Sequence, residues 1–147
     1  MATDPYGLNR FIEAQQGVYE QALAEIRQGR KRSHWMWFVF PQIDGLGFSA
    51  TTKRYSIKSR EEARAYLDHP VLGARLRECC EALLALEGRT AHEIFGYPDD
   101  LKLQSCATLF AQVAGKGSVF EQILEKYYGG QPDEKTLRLL AKESGEK

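Results

Sequence analysis

Residues 30–34 read Arg-Lys-Arg-Ser-His, and two indoles, Trp35 and Trp37, follow at once. Cations beside an imidazole and aromatic faces suit a phosphorylated, ring-bearing ligand. Guanidinium and ammonium groups hold phosphate, indole faces stack base-like rings, and an imidazole donates, accepts or carries a proton. No acid lies between Gln28 and Ile43, so an anion would relieve the crowding of Arg30, Lys31 and Arg32. Gln42 carries an amide that either reads a ring edge by two hydrogen bonds or caps its own loop. Lys53, Arg54 and Tyr55 extend the rim. Asp99 and Asp100 offer carboxylates, and one of them near His34 would complete a general acid–base couple. Plainer readings stand beside these. A charge run is commonly a solvated turn, and His34 can be a satisfied helix-start residue. Acids in a first helical turn complement the dipole, and Asp99 pairs with Lys102 at i,i+3.

The positioning elements are expected to be helical. Ser33 is a good N-cap and Pro41 a good terminator, so residues 34–40 predict a short helix apolar on every side; a buried strand competes for the same seven residues. Trp35, Trp37, Phe38 and Phe40 can each bury roughly 150–250 Å². At ~25 cal/mol per Å² the four amount to ~15–25 kcal/mol, more than the ~5–15 kcal/mol net stability of a domain. Most of this cluster is therefore expected in the core.

Elsewhere Leu8, Phe11, Ile12, Val18, Tyr19, Ala22, Leu23 and Ile26 recur at helical steps up to a stop near Gly29. Ser59–Glu62, Thr90–Glu93 and Ser118–Glu121 have capping-box spacing. Pro70 and Pro98 fit first helical turns, opening helices to about Leu86 and Ala114. His69 reads as a cap, and His92 lies inside a capping box. Stripes at Phe120–Tyr127 and Leu137–Leu140 follow, with fraying expected from Ala141. No alternating strand pattern recurs. The expectation is an all-α, compact single-domain bundle over residues 1–147, with about seven or eight helices and a short buried aromatic helix.

With 20 acidic and 20 basic residues the formal charge is zero, which argues against duplex nucleic acid as a partner; single-stranded RNA fits the cation-plus-aromatic mixture less well for the same reason. Cys79, Cys80 and Cys106 lack metal-ligand spacing, so reduced thiols, a cytoplasmic location and no metal or cofactor are expected. No apolar run approaches the ~20 residues of a membrane span. Gly45-x-Gly47 lacks the strand and third glycine of a dinucleotide fingerprint.

Three blocks, "RKRSHWMWFVFPQIDGLGFS", "YLDHPVLGARLRE" and "EIFGYPDDLKLQSCATLF", together resemble the bacterial domain-of-unknown-function family 1810, some of whose members are labelled "calpastatin". The resemblance runs from about Leu8 to Leu140 and implies a compact all-helical fold. A fainter likeness, in "FIEAQ" at 11–15 and "EIFGYPDD" at 93–100, is to the NADAR group of NAD and ADP-ribose chemistry, with Asn9 where that group carries an acid. Two functions are thus expected in parallel. One is binding or hydrolysis of a phosphorylated nucleotide-like molecule of the ADP-ribose or NAD class. The other is a protein-interaction module whose basic rim meets an acidic partner.

Overall fold

Helix α8, Asp99–Ala114, organises the chain because it is buried on almost every side: Leu103, Ser105, Cys106, Ala107, Thr108, Leu109 and Phe110 all lie inside. Its polar members fit there because they bond locally. Ser105 Oγ donates to the Leu101 carbonyl at 3.1 Å, and Thr108 Oγ1 donates to the Gln104 carbonyl at 2.8 Å. Around it, in this computed structural model describing residues 4–143, pack α5 (Arg60–Asp68), α7 (Ala91–Phe95), α9 (Val119–Tyr128) and α10 (Glu134–Glu143). A second layer is α6 (Leu72–Ala85), which bridges α5, α9 and α2 (Tyr19–Arg27), with α1 (Asn9–Gln15) set against α3 (Met36–Val39). The short α4 (Ala50–Arg54) completes ten helices among the described residues. The all-α expectation holds, and one continuous cluster of buried side chains runs through the layers. Residues 144–147, where fraying was expected, lie outside the described residues.

The surplus of helices over the expected number comes from one break and from the short α4, which Ser49 caps at the Thr52 N–H. The pattern from Leu8 to Ile26 is two helices, parted at Gly17, whose φ of +76° is accessible chiefly to glycine. Just before the break, buried Gln15 donates to the Phe38 carbonyl at 2.7 Å and accepts from Arg75 at 3.1 Å. Of the three capping boxes, Thr90–Glu93 is complete. At Ser59 and Ser118 the hydroxyl caps as expected, but each glutamate reaches one residue further back, to the Lys58 and Gly117 N–H groups. His69 caps α6 through Nδ1, 3.1 and 3.2 Å from the Val71 and Leu72 N–H groups. Cys79, Cys80 and Cys106 are buried, and burial pushes the Cys79 thiol up to about 12 and the other two well upward. They are packing groups at neutral pH.

The aromatic segment departs most from expectation. Its helix is the four-residue α3, and Ser33 does not cap it. Ser33 instead donates its hydroxyl to Glu25 of α2 at 2.7 Å. The same carboxylate accepts from the Arg32 N–H at 2.8 Å, the Ser33 N–H at 3.0 Å and Trp35 Nε1 at 2.9 Å. The Lys31 N–H donates to the Ile94 carbonyl of α7 at 2.7 Å. Four donors on one buried carboxylate thus peg residues 32–35 onto α2. Trp35 and Phe40 enter the core, whereas Trp37 and Phe38 stay half-buried.

Burial alone would raise the Glu25 carboxyl, but the backbone and side-chain donors of Arg32, Ser33 and Trp35 bring it down to about 2, from an ordinary value of 4.5. A depressed folded value stabilises the protein above pH 4.5, and that contribution is lost as pH falls towards 2. Glu25→Ala is expected to lower unfolding free energy by about 2–4 kcal/mol, because it strands buried donors; urea titrations check this. Glu25→Gln should flatten the loss of stability between pH 4.5 and 2 seen in the parent chain. At the α5–α6 junction, an alanine Cβ at Gly73 would stand 2.0 Å from the Leu67 carbonyl oxygen. Gly73→Ala should therefore destabilise by roughly 2 kcal/mol or more, as overpacking against backbone does.

Candidate functional site

The first turns of α8, the Glu25-pegged segment and the loop after Pro41 enclose two adjoining hollows. Lys31, His34, Trp35, Trp37, Thr51, Asp99 and Lys102 are the main lining of the first, with a volume of about 260 Å³. Asp99 is its electrostatic centre, 2.8 Å from Lys31 Nζ and 3.0 Å from Lys102 Nζ. Partial burial works to raise the Asp99 carboxyl, but the two ammonium groups outweigh it and hold it below the usual aspartate range. Lys102 Nζ lies 4.1 Å from the centre of the Trp37 ring, and Lys31 Nζ lies 5.2 Å from that of Trp35. Each cation therefore has an aromatic face as well as a carboxylate partner.

Trp37 and Lys102 also wall the second hollow, about 210 Å³, together with Gln42, Leu46, Gly47, Pro98, Leu101, Ser105, Asp133 and Lys135. Its floor loop is tied down at both ends of the only isolated β-bridge among the described residues, Ile43 with Ile57. The Ile57 N–H donates to the Gln42 carbonyl and the Asp44 N–H to the Ile57 carbonyl, both at 2.8 Å. Gly47 is needed where the loop passes α4, since a Cβ there would come within 2.5 Å of the Thr52 side chain. Asp133 opens α10, accepting from the Thr136 N–H at 3.0 Å.

The residues singled out from sequence are thus distributed unevenly. His34, Lys31, Trp35, Trp37 and Asp99 share the first hollow, and Gln42 lines the second. Asp100 lines neither; it faces His92 at 3.5 Å, and its carboxylate accepts from the Leu101 N–H at 2.9 Å. Arg30 and Arg32 are exposed and with Lys31 border a separate open depression. The cations do not converge on a helix N-terminus: Lys31 alone pairs with Asp99, while Arg30 and Arg32 stay exposed. Lys53 is exposed, its carbonyl accepting from Ser56 and Lys58. Tyr55 packs edge-on against Phe38 at 4.9 Å instead of reaching the rim. Sequence reasoning missed Thr51, Ser105, Asp133 and Lys135 as lining groups, and Glu25 as the anchor. The Asp133-x-x-Thr136 capping spacing was the one available signal among them.

No three His, Cys, Asp or Glu side chains gather where a metal ion would sit among the described residues, and no helix there is long and apolar enough to cross a membrane. The chain is thus an all-helical protein with two adjoining, aromatic-walled surface hollows. The chain belongs to the family described as "Protein of unknown function (DUF1810)", which it matches over residues 5–140. It is similar to the conserved hypothetical protein Rv1873 from Mycobacterium tuberculosis, known from a crystal structure at 1.38 Å, with 54% identity and a TM-score of 0.92. The match covers 94% of this chain and 99% of that one. No protein with a curated description matches. These comparisons carry family membership and fold; they lend nothing to the NADAR likeness or the calpastatin label.

Removing the central charge should be felt in both hollows. Asp99→Asn is expected to cost about 1–2 kcal/mol by leaving half-sequestered Lys31 without its counter-charge, and to shift Trp37 emission as Lys102 moves over the ring. The parent contribution is complete above the ordinary aspartate value of 3.8 and fades as pH falls below it. Urea titrations of both chains at pH 7 and pH 3 check the sign, because the gap between them should narrow in acid.

Proposed function

We propose that this chain binds a phosphorylated, nucleotide-like small molecule across the paired hollows, and that recognition rather than hydrolysis is its activity. The observation carrying this reading is the grouping of Lys31, Lys102, His34 and the Trp37 indole around one hollow. A phosphoryl group entering there meets two ammonium groups and an imidazole, while the half-buried indole offers a face to a ring. Asp99 fixes the cations in place beforehand, which lowers the ordering cost of binding. Being held ionised, it is a poor proton donor near neutrality. Asp100 is turned towards His92. With neither carboxylate free to move a proton beside His34, an acid–base couple finds less support than a binding site.

A second reading, a protein-interaction surface, is favoured by one specific feature. Arg30 and Arg32 are exposed and make no side-chain ion pair among the described residues. An acidic partner segment would meet them without disturbing either hollow.

Thermal melts with ADP-ribose, NAD, AMP and inorganic phosphate separate the readings. A ligand at about 100 times its Kd adds roughly 2.7 kcal/mol to stability, a rise in Tm that is easily measured. His34→Ala should weaken such binding by about ten-fold, or about 1.4 kcal/mol, and leave the unliganded melt nearly unchanged. Flat melts throughout this panel at millimolar ligand would end the small-molecule reading. Loss of a partner on Arg30→Glu with Arg32→Glu, with His34→Ala harmless, would install the second.

A further inference from the structure

Gln42 is a buried polar side chain whose retention the fold itself does not explain. It is only 6% exposed, and its Nε2 has no hydrogen-bond partner among the described residues. Leaving such a donor unmade costs about 1–3 kcal/mol, and an apolar side chain of the same length would avoid that cost. Gln42 lines the second hollow, so an occupant of that hollow would supply the missing acceptor.

We infer that the second hollow is the subsite for a neutral planar heterocycle, whose edge acceptor is read by Gln42 Nε2. The inference rests on the nucleotide-like reading above and adds which end of the ligand lies where: ring against Gln42, phosphoryl against Lys31 and His34. Four observations select a ring over a second anion. The walls contributed by Trp37, Leu46, Pro98 and Leu101 are apolar plates suited to the faces of a flat group. Asp133 lines the same hollow. Both Thr136 donors reach its Oδ2, so Oδ1 accepts nothing among the described residues and is open to a ring N–H, while Lys135 in the same lining offsets its charge and Lys102 is already paired with Asp99. The volume of about 210 Å³ is below the roughly 300–1,000 Å³ that encloses a whole drug-sized ligand, and suits one ring system. Finally, Leu101 in the lining is 48% exposed, an apolar surface that a ring would cover as it enters.

Calorimetric titration of AMP, GMP, UMP and ribose 5-phosphate into the parent chain and Gln42→Met tests the assignment. The parent is expected to bind at least one nucleotide about ten-fold more tightly than ribose 5-phosphate. Gln42→Met should erase that margin, keep ribose 5-phosphate affinity, and melt without ligand at the same temperature as the parent or higher. A margin that survives in Gln42→Met would overturn the inference, as would a lower unliganded melt, which would make Gln42 a structural group. Should ribose 5-phosphate and all nucleotides fail to bind, the phosphorylated-ligand reading falls, and titration with adenine, guanine and uracil still decides the ring subsite. Free-base binding that Gln42→Met abolishes upholds it; no binding at millimolar base defeats it.

Discussion

Four hydrogen bonds converge on the Glu25 carboxylate, and the geometry of everything around the hollows follows from them. A charge buried this deeply is tolerated only when its oxygens are saturated with donors. Two donors are consecutive backbone N–H groups, one is the Ser33 hydroxyl and one is the Trp35 indole. Satisfying the charge therefore dictates the course of the chain from Arg32 to Trp35. With that course set, Trp35 lies in the core, Lys31 reaches Asp99, and the flanking arginines turn to solvent. The basic run is thereby divided into one inward cation, paired with Asp99, and two outward ones.

The other wall depends on α8. A helix buried on most of its surface has little freedom to shift, because packing on several sides must move with it. Its half-buried first turn carries Asp99 and Lys102, so these charges are mounted on the most constrained element of the fold. Lys102 joins the hollows by touching Asp99 on one side and the Trp37 ring on the other.

Sequence alone made the helical class legible because local signals agreed with the tertiary outcome. Thr90, Ser59 and Ser118 cap where the hydroxyl spacing places them, and the apolar stripes of α6, α8 and α9 face inward. Local signals failed where distant partners decide. Gln15 is bonded to Phe38 and Arg75, contacts 23 and 60 positions away, so the break after it carries no strong local mark beyond Gly17. Ser33 had the chemistry of an N-cap but found a better acceptor in Glu25. His34, Lys31, Trp37 and Asp99 were singled out by residue type, and the fold sets them around one hollow. Ser105, Asp133 and Lys135 were not, because their membership depends on how α10 returns beside α8.

The 42–49 loop roots Gln42 and Ile43 in the core and runs out to exposed Phe48 and Ser49, held by the Ile43–Ile57 bridge and by Gly47 against Thr52. One side of the second hollow is consequently a largely buried helix and the other a loop that rises to the surface. Altering Leu46, a half-buried residue of that lining, would recut the outline of the hollow while the aromatic interior and the Asp99 charge cluster stayed as they are, so the shape of this recess is free to drift without endangering the architecture.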